Sequence, residues 1–224
     1  MSSTTKQVAG GSQTLARGLH ALALIGESDT PLTVPKLAEE LGIHRSMAYR
    51  LVRTLEEFGF IERDSTGNLE IGVRMATLTR SIARDLQTAA SPELVVLSNT
   101  LGMTAFIVTY DGEQAVTLLA VEPQDAITTV AQRPGSRHPV DRGAPGRVIR
   151  SQLRPEEYPP REYEVSHDEV FAGVTSIAVP LRTKDGRPAS LAILYLTEGG
   201  ADIADAAAQL RRSAQRIERV LGTA

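Results

Sequence analysis

The 224-residue chain contains no cysteine, which excludes disulfides, thiolate zinc sites and cysteine nucleophiles and suits a reducing cytoplasm. No apolar run approaches the roughly 20 residues that span a bilayer. The longest is about Leu191–Leu196, LAILYL, so no membrane partner is expected. The opening MSSTTKQVAGGSQ lacks an apolar signal core, and residues 1–11 read as a flexible tail. Catalytic signatures are missing too. There is no GxSxG elbow and no HExxH pair, and the GAPGR turn at 143–147 lacks the lysine and hydroxyl of a phosphate loop. His20, His44, His138 and His167 are dispersed and offer no metal spacing. Ser176, His167 and Asp168 could be drawn as a triad. His167 and Asp168, however, are neighbours on an expected loop, which gives no reason for base and orienter to align. No catalytic residue, metal or cofactor is expected.

Net charge is also nearly absent, at −3. Residues 1–90 hold ten Lys+Arg and ten Asp+Glu, so the N-terminal part is neutral overall. From Gly42 to Leu55, in contrast, there are three arginines and no acids. Phosphate attraction acts over about a Debye length, so a local basic patch of this kind suffices.

That patch lies on the most informative segment, TVPKLAEELGIHRSMAYRLVRTL at Thr33–Leu55. Val34, Leu37, Ala38 and Leu41 recur at i, i+3, i+4 and i+7, as do Ala48, Leu51, Val52 and Leu55, predicting two amphipathic helices joined at Gly42. On the second helix Ser46, Arg50 and Arg53 fall opposite the apolar stripe, with Tyr49 to one side and Arg45 at the entry. A short, basic, hydrogen-bonding face fits the major groove, where arginine forks onto guanine or phosphate. This is a DNA-binding helix-turn-helix. Arg50 and Ser46 are the candidates for base readout, with Lys36, Arg45, Tyr49 and Arg53 on phosphates. His44 at the helix entry is a further phosphate candidate, Tyr49 can instead pack on the first helix, and Met47 reads as a packing residue.

Leu15, Leu19 and Leu22 mark a preceding helix ending near Gly26, and Thr33 stands where it would cap the next. Downstream, FIER at Phe60–Arg63 and NLEI at Asn68–Ile71 flank a DSTG turn, a small wing from which Arg63 could reach a phosphate. Met75, Leu78, Ile82 and Leu86 form a stripe too small for a domain and read as a linker and dimer helix. The expected organisation is a winged helix-turn-helix at 12–73, the linker helix at 74–90 and an effector domain at 91–224.

The arrangement resembles the IclR-type transcriptional regulators, through LAEELGIHRSMAYRLVRTLEEFGFIERD, the glycine-containing wing, the linker entered at IGVRM, and YEVSHDEVFAGVTSIAVPLRTKDGRPASLAILYL at Tyr163–Leu196. The resemblance implies an N-terminal winged helix and a C-terminal effector-binding domain with a GAF-like sheet. It covers most of the chain, but the segment from Val148 to Tyr163 is shorter than is usual in the family.

The residues of the second half support an α+β domain on their own. Ser91 and Pro92 read as cap and first position of a helix stopping at Gly102. MTAFIVTY and EQAVTLLAVE flank Asp111-Gly112, GVTSIAVPL and PASLAILYL flank Asp185-Gly186, and ITTVA at Ile127–Ala131 reads as a fifth strand. Ile203, Ala207, Leu210, Ala214, Ile217 and Leu221 give a last helix its stripe. Helices to one side of such hairpins leave a concave face for a small molecule.

In that pocket, the resemblance implies that Gly143, Ala144 and Val174 offer backbone N–H groups and that Ser166 and Ser176 supply polar side chains. It also implies that the hydroxyl positions of oxo-acid binders, on the penultimate strand, are Ile193 and Tyr195 here, although both can equally be ordinary core. The expected effector is therefore larger and more apolar than pyruvate or glyoxylate, an aromatic acid for example. Together these readings give a dimer, or dimer of dimers, on a pseudo-palindromic double-stranded operator, with repression as the expected sense. The alternatives are a small-molecule enzyme or a protein-interaction module with an accessory helix-turn-helix.

Overall fold

Two units, Met1–Ile82 and Ala83–Ala224, make up the computed structural model, which describes residues 11–28, 30–79, 82–124 and 129–224. Apart from Gly11, the tail expected over 1–11 lies outside the described residues.

The first unit is three helices and a hairpin: α1 (Gln13–Glu27), α2 (Val34–Glu40), α3 (Arg45–Glu57), β1 (Ile61–Arg63) and β2 (Leu69–Ile71), followed by α4 (Arg74–Thr79). Val34, Leu37 and Ala38 of α2 interlock with Ala48 and Val52 of α3, the stripes read from the sequence. Burying a residue such as Leu37 completely contributes about 1.5–3 kcal/mol. Thr33 stands at the cap position of α2 but makes no side-chain bond there. The turn after α2 carries Gly42 at φ +61, a left-handed conformation that favours glycine.

Of the stripe read for α1, Leu22 packs against the core but Leu15 and Leu19 do not. Leu15 and Leu19 are 63% and 58% exposed, whereas Gly18, Ala21 and Ile25 are buried. The face that α1 turns to α3 and β2 is formed by Ala21, Leu22 and Ile25, while a Cβ at Gly18 would meet nothing within 4 Å. Leu32 adds a third segment to the hairpin by accepting from the Leu69 amide at 2.7 Å.

The second unit contains α5 (Arg84–Leu101), β3 (Thr104–Tyr110), β4 (Ala115–Val121), β5 (Arg137–His138), α6 (Gly143–Leu153), β6 (Glu164–His167), β7 (Val174–Leu181), β8 (Ala189–Leu196) and α7 (Ile203–Leu221). Its antiparallel sheet has the order β5-β4-β3-β8-β7-β6. Side chains alternate between its faces. Ala105, Ile107, Ile177, Val179, Leu191 and Ile193 pack on α5 and α7, while Phe106, Val108, Ala178, Ala192 and Leu194 pack on the α6 side. Because both faces are covered, the central strands are predominantly apolar.

Three expectations are corrected here. Ser91 caps nothing: α5 runs through it with Pro92 inside, and Ser91 Oγ donates to the Gln87 carbonyl at 2.8 Å. Leu86, Ala89, Ala90, Leu94 and Leu97 continue one buried stripe across Pro92, so packing overrides the local break. The stripe from Met75 to Leu86 is likewise not one helix. Ala83 adopts φ +43, Leu86 enters the core of the second unit, Leu78 and Ile82 are exposed, and Arg80 and Ser81 lie outside the described residues. Of the strand expected at Ile127–Ala131, Ile127 and Thr128 lie outside the described residues and 129–131 is not strand. Arg137–His138 pairs with β4 at that edge instead, and the opposite edge is β6, which had been read as loop.

Candidate functional site

The outward face of α3 carries the features a groove-reading helix needs. Lys36, His44, Arg45, Ser46, Tyr49, Arg50 and Arg53 are all exposed. Among the described residues, the side chains of Arg45 and Arg50 have no hydrogen bond or ion pair, so both guanidinium groups are uncommitted. Arg53 Nε donates to Glu57 Oε1 at 3.0 Å, and Lys36 Nζ to Thr30 Oγ1 at 3.4 Å. His44 is the N-cap of α3: its Nδ1 accepts from the Ser46 amide at 3.3 Å and lies 2.8 Å from Ser46 Oγ. With Nδ1 accepting, the neutral ring carries its proton on Nε2 and presents an outward donor. Arg17 of α1, which the sequence reading passed over, brings Nη1 to 3.2 Å from Met47 Sδ and adds a cation beside α3.

The wing is less basic than expected. Arg63 is held by Glu56, with Nε donating to Oε1 at 2.6 Å, a bond that raises its pKa above the ordinary arginine value. At the tip, Asp64 accepts from the amides and side chains of Thr66 and Asn68. Those bonds hold its pKa down to about 2, so the tip is a fixed anion, and any phosphate contact by Arg63 requires it to leave Glu56.

In the second unit, a small hollow of about 40 Å³ opens where α6 begins, lined by Phe106, Gln132, His138, Ser166, Val174, Ser176 and Leu194 among others, with Val170 and Phe171 alongside. Gly143, with φ +72, starts α6, and a Cβ there would stand 2.9 Å from Val170 Cγ2. Two of the three amides expected to face a ligand are occupied. The Gly143 amide donates to Glu169 Oε2 at 2.8 Å and the Ala144 amide to Ser166 Oγ at 3.0 Å. Glu169 also receives Arg147 Nη1 at 2.5 Å. Burial works against the Glu169 charge, but the bonds from Arg147 and Gly143 outweigh it and keep the carboxyl below its usual range. Burial pushes the His138 imidazole down, toward the neutral form. Ser176 Oγ donates to the Ile193 carbonyl at 2.9 Å.

Ile193 and Tyr195 do not face this hollow. Ile193 is fully buried among α5 and α7, and Tyr195 packs against the same core on the opposite side of the sheet from Ser166 and Ser176. Leu194 is the β8 residue on the hollow. A shift of one residue exchanges the faces of a strand, and β8 is the last strand of the chain, not the penultimate one. The imagined triad is absent as well. His167 ends β6 with Nδ1 2.8 Å from Thr175 Oγ1, while Ser176 is bonded to Ile193. Among the described residues no group of three or more His, Asp or Glu side chains could hold a metal, and no helix is long and apolar enough to cross a membrane.

Glu169, His138, Gln132, Phe106 and Leu194 were not singled out from sequence. Glu169 lies 26 residues from the amide it caps, a separation without periodic signal.

Residues 14–65 match the model of the IclR helix-turn-helix domain. The chain is 24% identical to the HTH-type transcriptional regulator XynR of Escherichia coli, over 94% of this chain and 97% of XynR. It is 28% identical to the acetate operon repressor of Salmonella typhimurium, over 69% of this chain and 58% of that repressor. An IclR transcriptional regulator from Alicyclobacillus acidocaldarius has the same fold, with a TM-score of 0.82 at 23% identity, covering 95% of this chain and all of that one. An IclR homologue from Microbacterium hydrocarbonoxydans, solved with 4-hydroxybenzoate, gives 0.80 at 20% identity over 95% of this chain and 100% of the homologue.

Proposed function

We propose that the chain is an IclR-type transcriptional regulator, as its relatives are regulators and not enzymes, and that it is a cytoplasmic repressor that binds a pseudo-palindromic operator as a dimer or dimer of dimers and responds to a small organic acid. The observation that carries the DNA reading is the face of α3, where the side chains of Arg45 and Arg50 stand exposed without a partner among the described residues. Arg50 and Ser46 read base edges. Arg45, Arg53, Lys36, Tyr49 and the Nε2 edge of His44 position the helix on phosphates, with Arg63 reaching the backbone once released from Glu56.

The effector enters the hollow at the start of α6, beside Ser166, Ser176 and Val174. Phe106, Val174 and Leu194 give it apolar walls, and Gln132 and His138 add polar groups. As it stands the hollow is far smaller than the roughly 300–1,000 Å³ of an ordinary small-molecule site. A ligand larger than pyruvate or glyoxylate must therefore open it, by shifting Val170 and Phe171 and by competing with Glu169 and Ser166 for the Gly143 and Ala144 amides. Binding that favours the open arrangement supplies the differential affinity that any effect on DNA requires. An aromatic acid fits these walls. The 4-hydroxybenzoate in the Microbacterium homologue supports that class as a first panel to screen.

The test is to select bound fragments from a genomic DNA pool with the full chain, then to screen aromatic and aliphatic acids for release of the recovered site. A specific fragment released by an aromatic acid supports the reading. Sequence-independent retention, or release by pyruvate or glyoxylate alone, overturns the corresponding half.

A further inference from the structure

A second cavity, far larger than the hollow, lies along the outer side of α6, where the irregular connection of residues 154–163 leads into β6. It is an open groove of about 860 Å³, within the range of small-molecule sites. Its walls include Arg150, Ser151, Tyr158, Pro159, Pro160 and Tyr163.

Every carboxylate lining the groove is already matched. Glu164 receives Arg147 Nε at 3.0 Å and lies 3.7 Å from Arg161, Glu157 lies 3.6 Å from Arg154, and Glu162 receives Arg211 at 2.5 Å. Arg147 is itself saturated by Glu164, Glu169 and the Val165 carbonyl. Arg150 is the cation left over. Among the described residues its side chain has no hydrogen bond or ion pair, its Nε is buried without an acceptor, and its guanidinium lies 3.9 Å from the centroid of the Tyr158 ring.

A buried guanidinium donor without an acceptor is rare in native proteins and calls for a missing partner. Its stacking on tyrosine leaves the in-plane edge as the direction in which an acceptor must arrive. We propose that this groove is a second ligand site, separate from the hollow, that takes a monocarboxylate with a flat ring. The carboxylate pairs with Arg150, and the ring lies against Tyr158 and the Pro159-Pro160 wall. One surplus positive charge matches one carboxylate better than a phosphate monoester, which carries close to two negative charges at neutral pH. Tyr158 sits on an irregular connection and is 37% exposed, so its ring can tilt to admit the carboxylate oxygen to Nε.

Calorimetric titration of the full chain with benzoate, its neutral isostere benzamide, and inorganic phosphate tests this. Benzoate should saturate the groove, with benzamide and phosphate each at least tenfold weaker. Arg150→Gln should weaken benzoate at least tenfold, and Tyr158→Leu, at a position exposed enough to keep the fold, should weaken it several-fold. Ser176→Ala, in the hollow, should leave the Arg150-dependent binding unchanged, whatever it does to an acid held in the hollow. Loss of benzoate binding in Ser176→Ala with retention in Arg150→Gln would put the acid in the hollow and overturn the proposal. Equal binding of benzamide, phosphate binding as tight as benzoate, or no saturation in the millimolar range would overturn it too. None of these results depends on whether any acid releases DNA.

Discussion

Replacing Arg50 by alanine removes a side chain that is exposed and makes no ion pair among the described residues, so the two quantities it affects separate cleanly. Folding should hardly change, since surface substitutions away from special features stay within about 0.5 kcal/mol and alanine is a good helix former. DNA affinity should fall by about 1–3 kcal/mol, the value of a bidentate arginine–guanine contact, or roughly 5- to 150-fold in Kd. The assay is an anisotropy titration of the selected operator and of duplexes altered one base pair at a time, at several salt concentrations. Arg50→Ala should bind the operator and one particular single-position variant nearly alike, because discrimination at that base pair is lost. Arg53→Ala provides the contrast. Its exposed pair with Glu57 is worth no more than about 1 kcal/mol, which leaves Arg53 available to phosphate. Its loss should weaken all duplexes uniformly and lower the salt slope by about 1. If Arg50→Ala weakens every duplex equally and only the slope changes, the assignment of Arg50 to base readout is refuted.

Neighbouring residues of β8 should report on opposite faces of the sheet. Ile193→Val should cost about 0.5–1.5 kcal/mol, a fall in Tm of a few degrees, with the DNA-releasing acid unchanged. Leu194→Ala should shift preference toward bulkier acids, and an Ile193 variant that changed ligand preference would reverse the facing of the strand. Stability should also fall on acidification in two windows, seen by denaturant unfolding across pH. The depressed pKa of His138 means that the unfolded chain takes up its proton first, so stability declines as pH drops below about 6.5, and His138→Gln should flatten that part. Glu169, also depressed, contributes stability that is full above the ordinary carboxylate range and is lost as pH falls through its lowered pKa, a limb that Glu169→Gln should shorten.

The helix-turn-helix was legible because α2 and α3 each have one buried and one solvated face, so the 3.6-residue period survives in Val34, Leu37 and Ala38 and in Ala48, Leu51 and Val52. The hairpins around Asp111-Gly112 and Asp185-Gly186 were marked by their turns. Elsewhere the pattern was ambiguous for physical reasons. β8 is buried on both faces, so ASLAILYL does not alternate, and nothing local separates Ile193 from Leu194. Helix α1 packs through Ala21, Leu22 and Ile25 while Leu15 and Leu19 stay exposed, and the small side chain of Ala21 weighs little in a hydropathy pattern that leucines dominate. Glu169 and His138 converge on the start of α6 only through the tertiary fold. The self-capped state of that helix is likewise a matter of three-dimensional contact.

Methylation interference on the selected operator bears most directly on whether α3 reads DNA as part of a symmetric assembly. Guanine N7 methylation should block binding at two clusters related by the operator's dyad and spaced about 10.5 base pairs, or a multiple, apart. In Arg50→Ala, interference should fade at one guanine in each cluster. Binding indifferent to N7 methylation, or blocked at a single cluster without a symmetry mate, would contradict it.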